Sequence, residues 1–357
     1  MTQKESTRAL LSPEELKPSV ELTGRVLAEL DRILLGRAGL HRMVLVGLLS
    51  QGHILLEGVP GVGKTMLVKT LGMLLGLDFG RVQFTPDLMP GDILGTHILQ
   101  EREGRGREMV FQAGPIFTNI LLADEINRAS PKTQSALLEA MQEHHVTLLG
   151  TTRALPRPFF VLASQNPIEL EGTYPLPEAQ LDRFLFKLKV GEADVETLER
   201  IISTRRRGEP PKPDWKLGAD DLNGLFAAME RVYLPRAVSR YISRLTAATH
   251  PGDGKGTGSR EVREQVRNYV SYGASPRGAI GMAEAARAHA LICGRPTVGF
   301  EDVRAVAAAV LNHRVLLNYK ARFDRVDSFA VIEGLLKSVD EAGLDLPEQV
   351  EITERRE

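Results

Sequence analysis

The sequence predicts an α/β protein with a mainly parallel sheet, followed by a smaller domain built of helices. The first observation is a glycine-rich stretch between an apolar run and a helical pattern, at 54–67. The second is a set of short apolar runs without alternation, which are typical of strands buried on both faces of a parallel sheet. The third is that strand patterns stop after a proline cluster at 209–215, and only helical patterns follow.

Composition bounds the class of protein. The 357 residues are 43% apolar and 25% charged, and the net charge is −1. These values are ordinary for a globular protein and give no electrostatic footprint for nucleic acid or a membrane surface. The single cysteine, Cys293, cannot form an internal disulfide and is expected to be a small buried side chain. Because no signal-like or membrane-length apolar segment is found, we expect a cytoplasmic protein without membrane insertion.

Shifts in pattern divide the chain into five segments. We expect a flexible N-terminal tail at 1–18, an α/β domain at 19–208 and a linker at 209–215. A helical domain at 216–340 and a charged tail at 341–357 complete the chain. The helical domain has a size that is typical of an independent unit.

Five strands are expected in the α/β domain. Besides the runs at 54–56 and 120–125, strand patterns occur at 81–84, 160–164 and 184–190. Two further segments are expected to be hairpins. One lies within a long surface insertion at 85–114, where apolar pairs flank a charged patch, and the other lies at 146–159.

The glycine-rich stretch has the spacing of a phosphate-binding loop. Gly58, Gly61 and Gly63 precede Lys64 and Thr65 in the pattern G-x-x-x-x-G-K-T. Glycines let backbone N–H groups approach phosphate oxygens, and the helix N-terminus that follows favours anions. Lys64 is expected to neutralise the outer phosphates, and the Thr65 hydroxyl to join a Mg²⁺ shell. The alternative is a turn that binds nothing. The predicted nucleotide-binding residues are Gly58, Val59, Pro60, Gly61, Val62, Gly63, Lys64, Thr65, Met66 and Asp124.

A pair of carboxylates ends the strand motif at 120–125. Asp124 and Glu125 lie at the carboxyl end of this strand, where open α/β sheets place their ligands. Successive strand residues point to opposite sides, so the two side chains can serve different purposes. Asp124 is expected to hold Mg²⁺ together with Thr65, while Glu125 faces the attacking water. The alternative is a solvated pair in a turn.

With these residues placed, the chain resembles the AAA+ ATPases and, among them, the MoxR family. The resemblance covers about residues 34–316. It rests on five motifs in order, which are GVPGVGKT at Gly58, LLADEINRA at Leu121, SQNP at Ser164, LPEAQLDRF at Leu176 and GASPRG at Gly273. The resemblance implies a P-loop AAA+ αβα sandwich followed by a small all-helical lid domain. It also implies ATP and Mg²⁺ as cofactors and hydrolysis of ATP to ADP and phosphate.

The resemblance also assigns roles to individual residues. Asn166 resembles the sensor-1 residue that positions the attacking water, and Arg183 resembles the finger that reaches the γ-phosphate of a neighbouring subunit. Such a finger is typically worth about 10³–10⁵ in rate. Arg277 resembles the sensor-2 arginine, which contacts phosphate from the lid, and Arg128 resembles a second arginine acting between subunits. For Arg183, an ion pair with Asp182 or another nearby carboxylate is the structural alternative. The predicted catalytic residues are Glu125, Asn166, Arg183 and Arg277.

The partners implied by the resemblance are proteins. The resemblance implies a homo-oligomeric ring, expected to be a hexamer. It also implies a chaperone-like role in the remodelling or assembly of partner complexes or in metal insertion. A separate partner of the von Willebrand factor A type is also implied. The segments 85–114 and 146–159 resemble inserts that face the ring's central opening, and Leu35 and Gly36 are expected near the adenine.

Two other functions stay open from the residues. One is a motor or loader that acts on nucleic acid, against which the near-zero net charge stands. The other is a nucleotide-gated scaffold with negligible turnover, against which the presence of both Lys64 and Glu125 stands.

Overall fold

The computed structural model describes most of the chain, namely residues 10–59, 61, 63–102, 106–167, 172–205, 210–252 and 258–341. Pro60 and Val62 of the phosphate loop lie outside the described residues, as do 1–9 of the expected N-terminal tail and 342–357 of the charged tail. Residues 206–208, at the end of the expected α/β domain, and residue 209 of the expected linker also lie outside them.

Helices and strands alternate in the first part of the chain and helices dominate the second. The first part contains α1 (Pro13–Ile33), α2 (Ala38–Leu49), β1 (Ile54–Glu57), α3 (Lys64–Leu75), β2 (Phe79–Gln83), α4 (Pro90–Leu94), β3 (Gly95–Arg102), β4 (Gly106–Ala113), β5 (Ile120–Asp124), α5 (Pro131–Glu143), β6 (His145–Leu148), β7 (Thr151–Ala154), β8 (Phe160–Gln165), α6 (Glu178–Leu181), β9 (Phe186–Lys189) and α7 (Val195–Thr204). The second part contains α8 (Ala219–Arg231), α9 (Arg236–Ala248), α10 (Arg260–Tyr269), β10 (Val270–Tyr272), α11 (Pro276–Ile292), α12 (Phe300–Leu311), β11 (Leu316–Leu317), α13 (Tyr319–Phe323) and α14 (Ser328–Ser338).

A five-stranded parallel sheet forms the centre of the first part, in the order β2-β5-β8-β1-β9. Successive side chains along its strands point alternately into two apolar cores. Leu55 faces the core that contains α5, whereas Ile54 and Leu56 face the core shared with α1, α2 and α3. Since both faces are covered, both sets of positions are apolar, which explains runs without alternation. All five carboxyl ends share one edge of the sheet.

A buried histidine ties the amino end of β1 to its neighbours. His53 accepts a hydrogen bond from the Val161 N–H at Nδ1 (3.1 Å) and donates one from Nε2 to the Met141 carbonyl (3.0 Å). Burial lowers the pKa of His53 to about 4. The neutral ring therefore links β1 to β8 and to the end of α5 at this edge of the sheet.

Both predicted hairpins are confirmed. After the short helix α4, strands β3 and β4 pair antiparallel along eight residues each. Strands β6 and β7 form the second hairpin, directly after α5. Apolar side chains are exposed on both, including Leu99, Met109 and Leu149.

Two features of the fold differ from the predictions. The first helix begins at Pro13, inside the expected tail, because Ser12 and Glu15 form a capping box and Pro13 occupies the first helical position. The second part is not entirely helical, since β10 and β11 form a small antiparallel ribbon. Strands of two and three residues are too short to show an alternating pattern in the sequence.

The helical part packs directly on the α/β part. Helix α11 contacts both α1 and α2, and their buried side chains belong to one apolar core. Among the described residues, no helix combines the length and apolar character needed to span a membrane.

Candidate active site

The phosphate loop lies at the carboxyl edge of the sheet, between β1 and α3. Gly61 and Gly63 have φ angles of 80° and 83°, in the left-handed region that glycine adopts without strain. Gly58 is needed for a different reason, because a Cβ there would lie 2.5 Å from the Val190 carbonyl oxygen. Lys64 begins α3 and donates a hydrogen bond from Nζ to the Gly58 carbonyl (2.7 Å), so its side chain folds back over the loop.

The Lys64 ammonium is buried beside two carboxylates. Burial lowers the pKa of Lys64, while the nearby charges of Asp124 and Glu125 act to raise it. The loop, the lysine and both carboxylates are therefore assembled at one place, as the sequence predicted. A buried cation at a helix N-terminus is well suited to bind phosphate oxygens.

An apolar cavity of about 590 Å³ adjoins the loop. Its size lies within the range of small-molecule sites. Leu35 and Gly36 were expected near the adenine. Leu35 lines the cavity, whereas Gly36 packs against Thr197 at a distance that leaves no room for a Cβ. Other lining residues are Leu34, Leu40, Val59, Met66 and Ile201. This wall offers an apolar surface for a nucleotide base next to the phosphate loop.

Asp124 is held by side chains from the two neighbouring strands. Its Oδ1 accepts a hydrogen bond from the Ser164 hydroxyl (2.6 Å), and its Oδ2 accepts one from Arg81 Nη2 (2.8 Å). Ser164 Oγ also accepts from the Glu125 N–H (2.9 Å). Thr65 and Asp124 offer a hydroxyl and a carboxylate, the hard oxygen donors that Mg²⁺ prefers, and Asp124 already stabilises a cation. These residues fit a magnesium ion.

Glu125 is held in an uncommon backbone conformation. Its φ angle is 56°, which is rare for a residue with a side chain and is found at functional sites. Its Oε2 accepts hydrogen bonds from Gln83 Nε2 (2.7 Å) and Arg128 Nη1 (2.9 Å). Arg128, expected to act between subunits, therefore contacts Glu125 within its own chain.

Three of these contact residues were missed by the sequence analysis. Arg81 and Gln83 lie two apart on β2, so they point to the same face, and Ser164 opens the SQNP motif. The strand order makes their role clear, since β2 and β8 flank β5. The signal available in the sequence was a pair of polar residues two positions apart in a short predicted strand, which places both side chains on the same face.

Asn166 directly follows β8 and is buried. Its carbonyl accepts a hydrogen bond from Asn127 Nδ2 (3.5 Å). Because β8 lies between β5 and β1, Asn166 follows a strand that separates the carboxylates from the phosphate loop. The contact of Asn166 with an attacking water stays a prediction.

Arg183 and Arg277 lie together, but away from the phosphate loop. Both line a cavity of about 290 Å³ that also includes His53, before β1, and Leu185, before β9. This cavity is therefore at the amino edge of the sheet. The four residues of β1 alone separate the two edges by about 13 Å. Arg277 was predicted to contact phosphate from the lid. Because it lies at the amino edge, this prediction is wrong for a nucleotide bound to the phosphate loop of the same chain.

The contacts of this arginine pair bear on the structural alternative for Arg183. Arg277 lies 3.4 Å from Gln142 Oε1 and 3.8 Å from Asp182 Oδ2. The Asp182 carboxylate also accepts hydrogen bonds from Ser275 and Arg314. Among the described residues, the buried Nε of Arg183 has no hydrogen-bond partner. Asp182 is therefore engaged by other groups.

Cys293 is exposed, not buried as predicted. It follows α11 as the C-cap, beyond the packed length of the helix. Its Sγ lies 3.9 Å from His289 Nδ1, near Asp302. Asp302 is fully buried and accepts hydrogen bonds from His289, Arg295 and the Gly299 N–H, so this cluster is explained as the cap of α12.

Both halves of the chain match family models. The model described as "ATPase family associated with various cellular activities (AAA)" matches residues 53–186, and the model described as "AAA lid domain" matches residues 263–335. These regions contain the central sheet and most of the helical part.

Similar proteins extend the match to nearly the whole chain. "Chaperone MoxR1" of Mycobacterium tuberculosis is 46% identical over 326 residues, which cover 91% of this chain and 84% of that protein. "Protein MoxR" of Paracoccus denitrificans is 33% identical, covering 82% and 87%. The crystal structure of a Cytophaga hutchinsonii protein assigned as an ATPase is 39% identical with a TM-score of 0.80, covering 92% and 97%. The chain with this phosphate loop, carboxylate pair and lid belongs to the MoxR family of AAA+ ATPases.

Proposed function

We propose that this ATPase assembles into a ring, as a hexamer, in which each active site combines residues of two adjacent subunits. One observation carries the proposal. The carboxyl edge of the sheet holds Lys64 and Glu125, whereas Arg183 and Arg277 lie at the amino edge, too far to reach the phosphates of their own chain. Head-to-tail association brings the amino edge of one subunit to the carboxyl edge of the next.

The residues of the carboxyl edge bind and orient ATP. The base enters the apolar cavity, the loop N–H groups bind the phosphates, and Lys64 pairs with their outer oxygens. Thr65 and Asp124 hold Mg²⁺, which when bound neutralises phosphate charge. Asn166 orients the attacking water, and Glu125 accepts its proton after exchanging its contacts with Gln83 and Arg128.

The amino edge of the neighbouring subunit completes the site. Arg183 stabilises the charge that develops on the transferred phosphoryl group, as arginine fingers do. Arg277 acts from the lid on the same neighbouring nucleotide. Because the arginines are supplied by another chain, hydrolysis depends on assembly.

The proposed substrates of the ring are partner proteins. The two hairpins expose apolar side chains that suit contact with a polypeptide. The name of the relative "Chaperone MoxR1" supports a chaperone-like action. We further propose that this action serves assembly of protein complexes or metal insertion, together with a separate partner of the von Willebrand factor A type.

ATP hydrolysis by two single-site variants tests the catalytic assignment. Lys64→Ala is expected to lose ATP binding, because the buried cation at the loop is removed. Glu125→Gln is expected to bind ATP but to hydrolyse it about 10²–10⁴-fold more slowly, since it lacks a general base. Lys337→Ala, at an exposed lid lysine paired with Glu333, serves as the matched control.

The same assay separates the other two functions. Equally slow hydrolysis by wild type and Glu125→Gln would favour a nucleotide-gated scaffold. A salt-sensitive rise in hydrolysis on adding DNA would favour a nucleic-acid motor, whereas we expect DNA to leave the rate unchanged.

A further inference from the structure

The backbone on both sides of Arg183 is bound by one guanidinium from the lid. Arg314 Nη2 donates hydrogen bonds to the carbonyl oxygens of Asp182 (2.9 Å) and Phe184 (2.7 Å). Its Nη1 donates to the Leu185 carbonyl (3.1 Å), and its Nε to the Asp182 carboxylate (2.8 Å). The carbonyl of the residue before Arg183 and the carbonyl of the residue after it are therefore held by a single side chain.

Neighbours of Arg314 extend this contact along the same segment. His313 Nε2 donates to the Phe184 carbonyl (2.9 Å), and Asn312 Nδ2 donates to the Lys187 carbonyl (2.9 Å). These residues directly follow α12 in the sequence. The end of this lid helix therefore contacts the backbone from the residue before Arg183 to the second residue of β9. The lid and this segment are joined by polar contacts that must break if they separate.

Arg314 is almost fully withdrawn from solvent, with 6% of its surface exposed. Burial lowers its pKa, and the nearby Asp182 carboxylate acts in the opposite direction. A buried guanidinium is retained where its N–H groups are satisfied, and Arg314 makes five hydrogen bonds. Its planar fork of donors can bind several carbonyls at once, which a lysine cannot reproduce.

We propose that Arg314 is a positioning residue for Arg183, an inference that rests on the proposed role of Arg183 in the neighbouring active site. Arg314 lies at the amino edge of the sheet, and its hydrogen bonds to described residues go to Asp182, Phe184, Leu185 and Val310 and not to the phosphate loop. By holding the carbonyls on both sides of Arg183, it sets the direction in which that side chain leaves the backbone. It also ties Arg183 to the lid, so that a movement of the lid in one subunit moves the arginine offered to the next.

Mixed assemblies test this role. Arg314→Lys keeps the charge but loses the fork, and we expect its ATP turnover to fall about 10- to 100-fold, since a misplacement of ~1 Å can cost about 10²-fold in rate. Its affinity for ATP should stay near that of wild type, because its own nucleotide site is intact. An excess of Lys64→Ala subunits, which lack a nucleotide site but carry an intact Arg183, should restore turnover at the Arg314→Lys sites.

Arg183→Ala, mixed with Lys64→Ala in the same way, is the reference. Recovery of both variants supports the inference. Recovery of Arg183→Ala alone, or full activity of Arg314→Lys without any mixing, overturns the role of Arg314 and leaves the proposed function standing. Failure of Arg183→Ala to recover overturns the proposed trans action of Arg183, and the inference falls with it.

Folding is controlled with two further variants. Arg295→Lys changes another lid arginine, which pairs with the buried Asp302 at the opposite end of α12, and should retain turnover. Thermal unfolding and ATP binding are measured for every variant. If Arg314→Lys does not fold, Asp182→Asn takes its place, because it weakens the Arg314 contact but keeps the flanking carbonyls, and the same outcomes apply.

Discussion

At the scale of single residues, the two acidic side chains of the site are each engaged by a residue from β2. Arg81 binds Asp124, and Gln83 binds Glu125. The Asp124 oxygen that accepts from Arg81 belongs to the carboxylate proposed to hold Mg²⁺. A cation fixed there competes with the metal for the same charge, while Gln83 keeps Glu125 in a fixed position. Strand β2 therefore contacts both carboxylates to which we assign a function.

Arg81→Gln is expected to raise the apparent affinity for Mg²⁺. Partly exposed ion pairs are worth about 0.2–1 kcal/mol, so their loss should lower the half-saturating Mg²⁺ concentration by up to about fivefold. The measurement is ATP hydrolysis titrated with Mg²⁺ at constant ionic strength. Arg322→Gln, at an exposed lid arginine, is the control. An unchanged titration curve for Arg81→Gln would contradict the competition.

Local patterns predicted the residues that we propose carry the chemistry, but not the residues that contact them and hold them in place. Lys64, Asp124 and Glu125 belong to short motifs whose spacing alone places them beside a helix N-terminus or a strand end. The contacts of Arg81 and Ser164 depend on the order of strands in the sheet, which no local pattern contains. The bond from Arg314 to the Arg183 segment joins residues far apart in the sequence and was not predictable for the same reason.

At the scale of elements, the glycines of the phosphate loop answer two different constraints. Gly61 has a positive φ angle and open space around its missing Cβ, whereas Gly58 packs against the backbone that follows β9. The loop therefore depends both on its own conformation and on close contact with a neighbouring strand.

Gly58→Ala is expected to be more damaging than Gly61→Ala. A Cβ at Gly58 meets a carbonyl oxygen of the main chain, so overpacking should cost about 1–3 kcal/mol and displace the loop, with loss of ATP binding. At Gly61 the cost is the left-handed conformation alone, about 1–2 kcal/mol. Urea unfolding and ATP binding measure both effects. Equal loss of ATP binding in the two variants would contradict the distinction.

The type of an element was predictable where its sequence pattern was long or where the strand is covered on both faces of the sheet. The five parallel strands and both hairpins were expected from their apolar runs and turn residues. The ribbon of β10 and β11 was not predicted, because strands of three and two residues are too short to show an alternating pattern. The start of the first helix was not predicted, since it lies inside the tail expected at 1–18, although Ser12, Pro13 and Glu15 favour a helix start.

At the scale of the whole molecule, each chain carries two complementary halves of the proposed active site. The carboxyl edge binds nucleotide, and the amino edge offers Arg183 and Arg277. If these edges contact each other head to tail, every subunit uses both of its edges only when the assembly closes into a ring. The sequence indicated both arginines by resemblance, but their edge of the sheet is a property of the folded chain.

The central claim is that hydrolysis needs two subunits, and its most direct test is the rate of ATP hydrolysis per chain as a function of protein concentration. Particle mass is measured by light scattering in the same samples. We predict that the rate per chain rises over the concentration range in which the ring forms, and that Arg183→Ala assembles without this rise. A rate per chain that stays constant from monomer to assembly would contradict the claim.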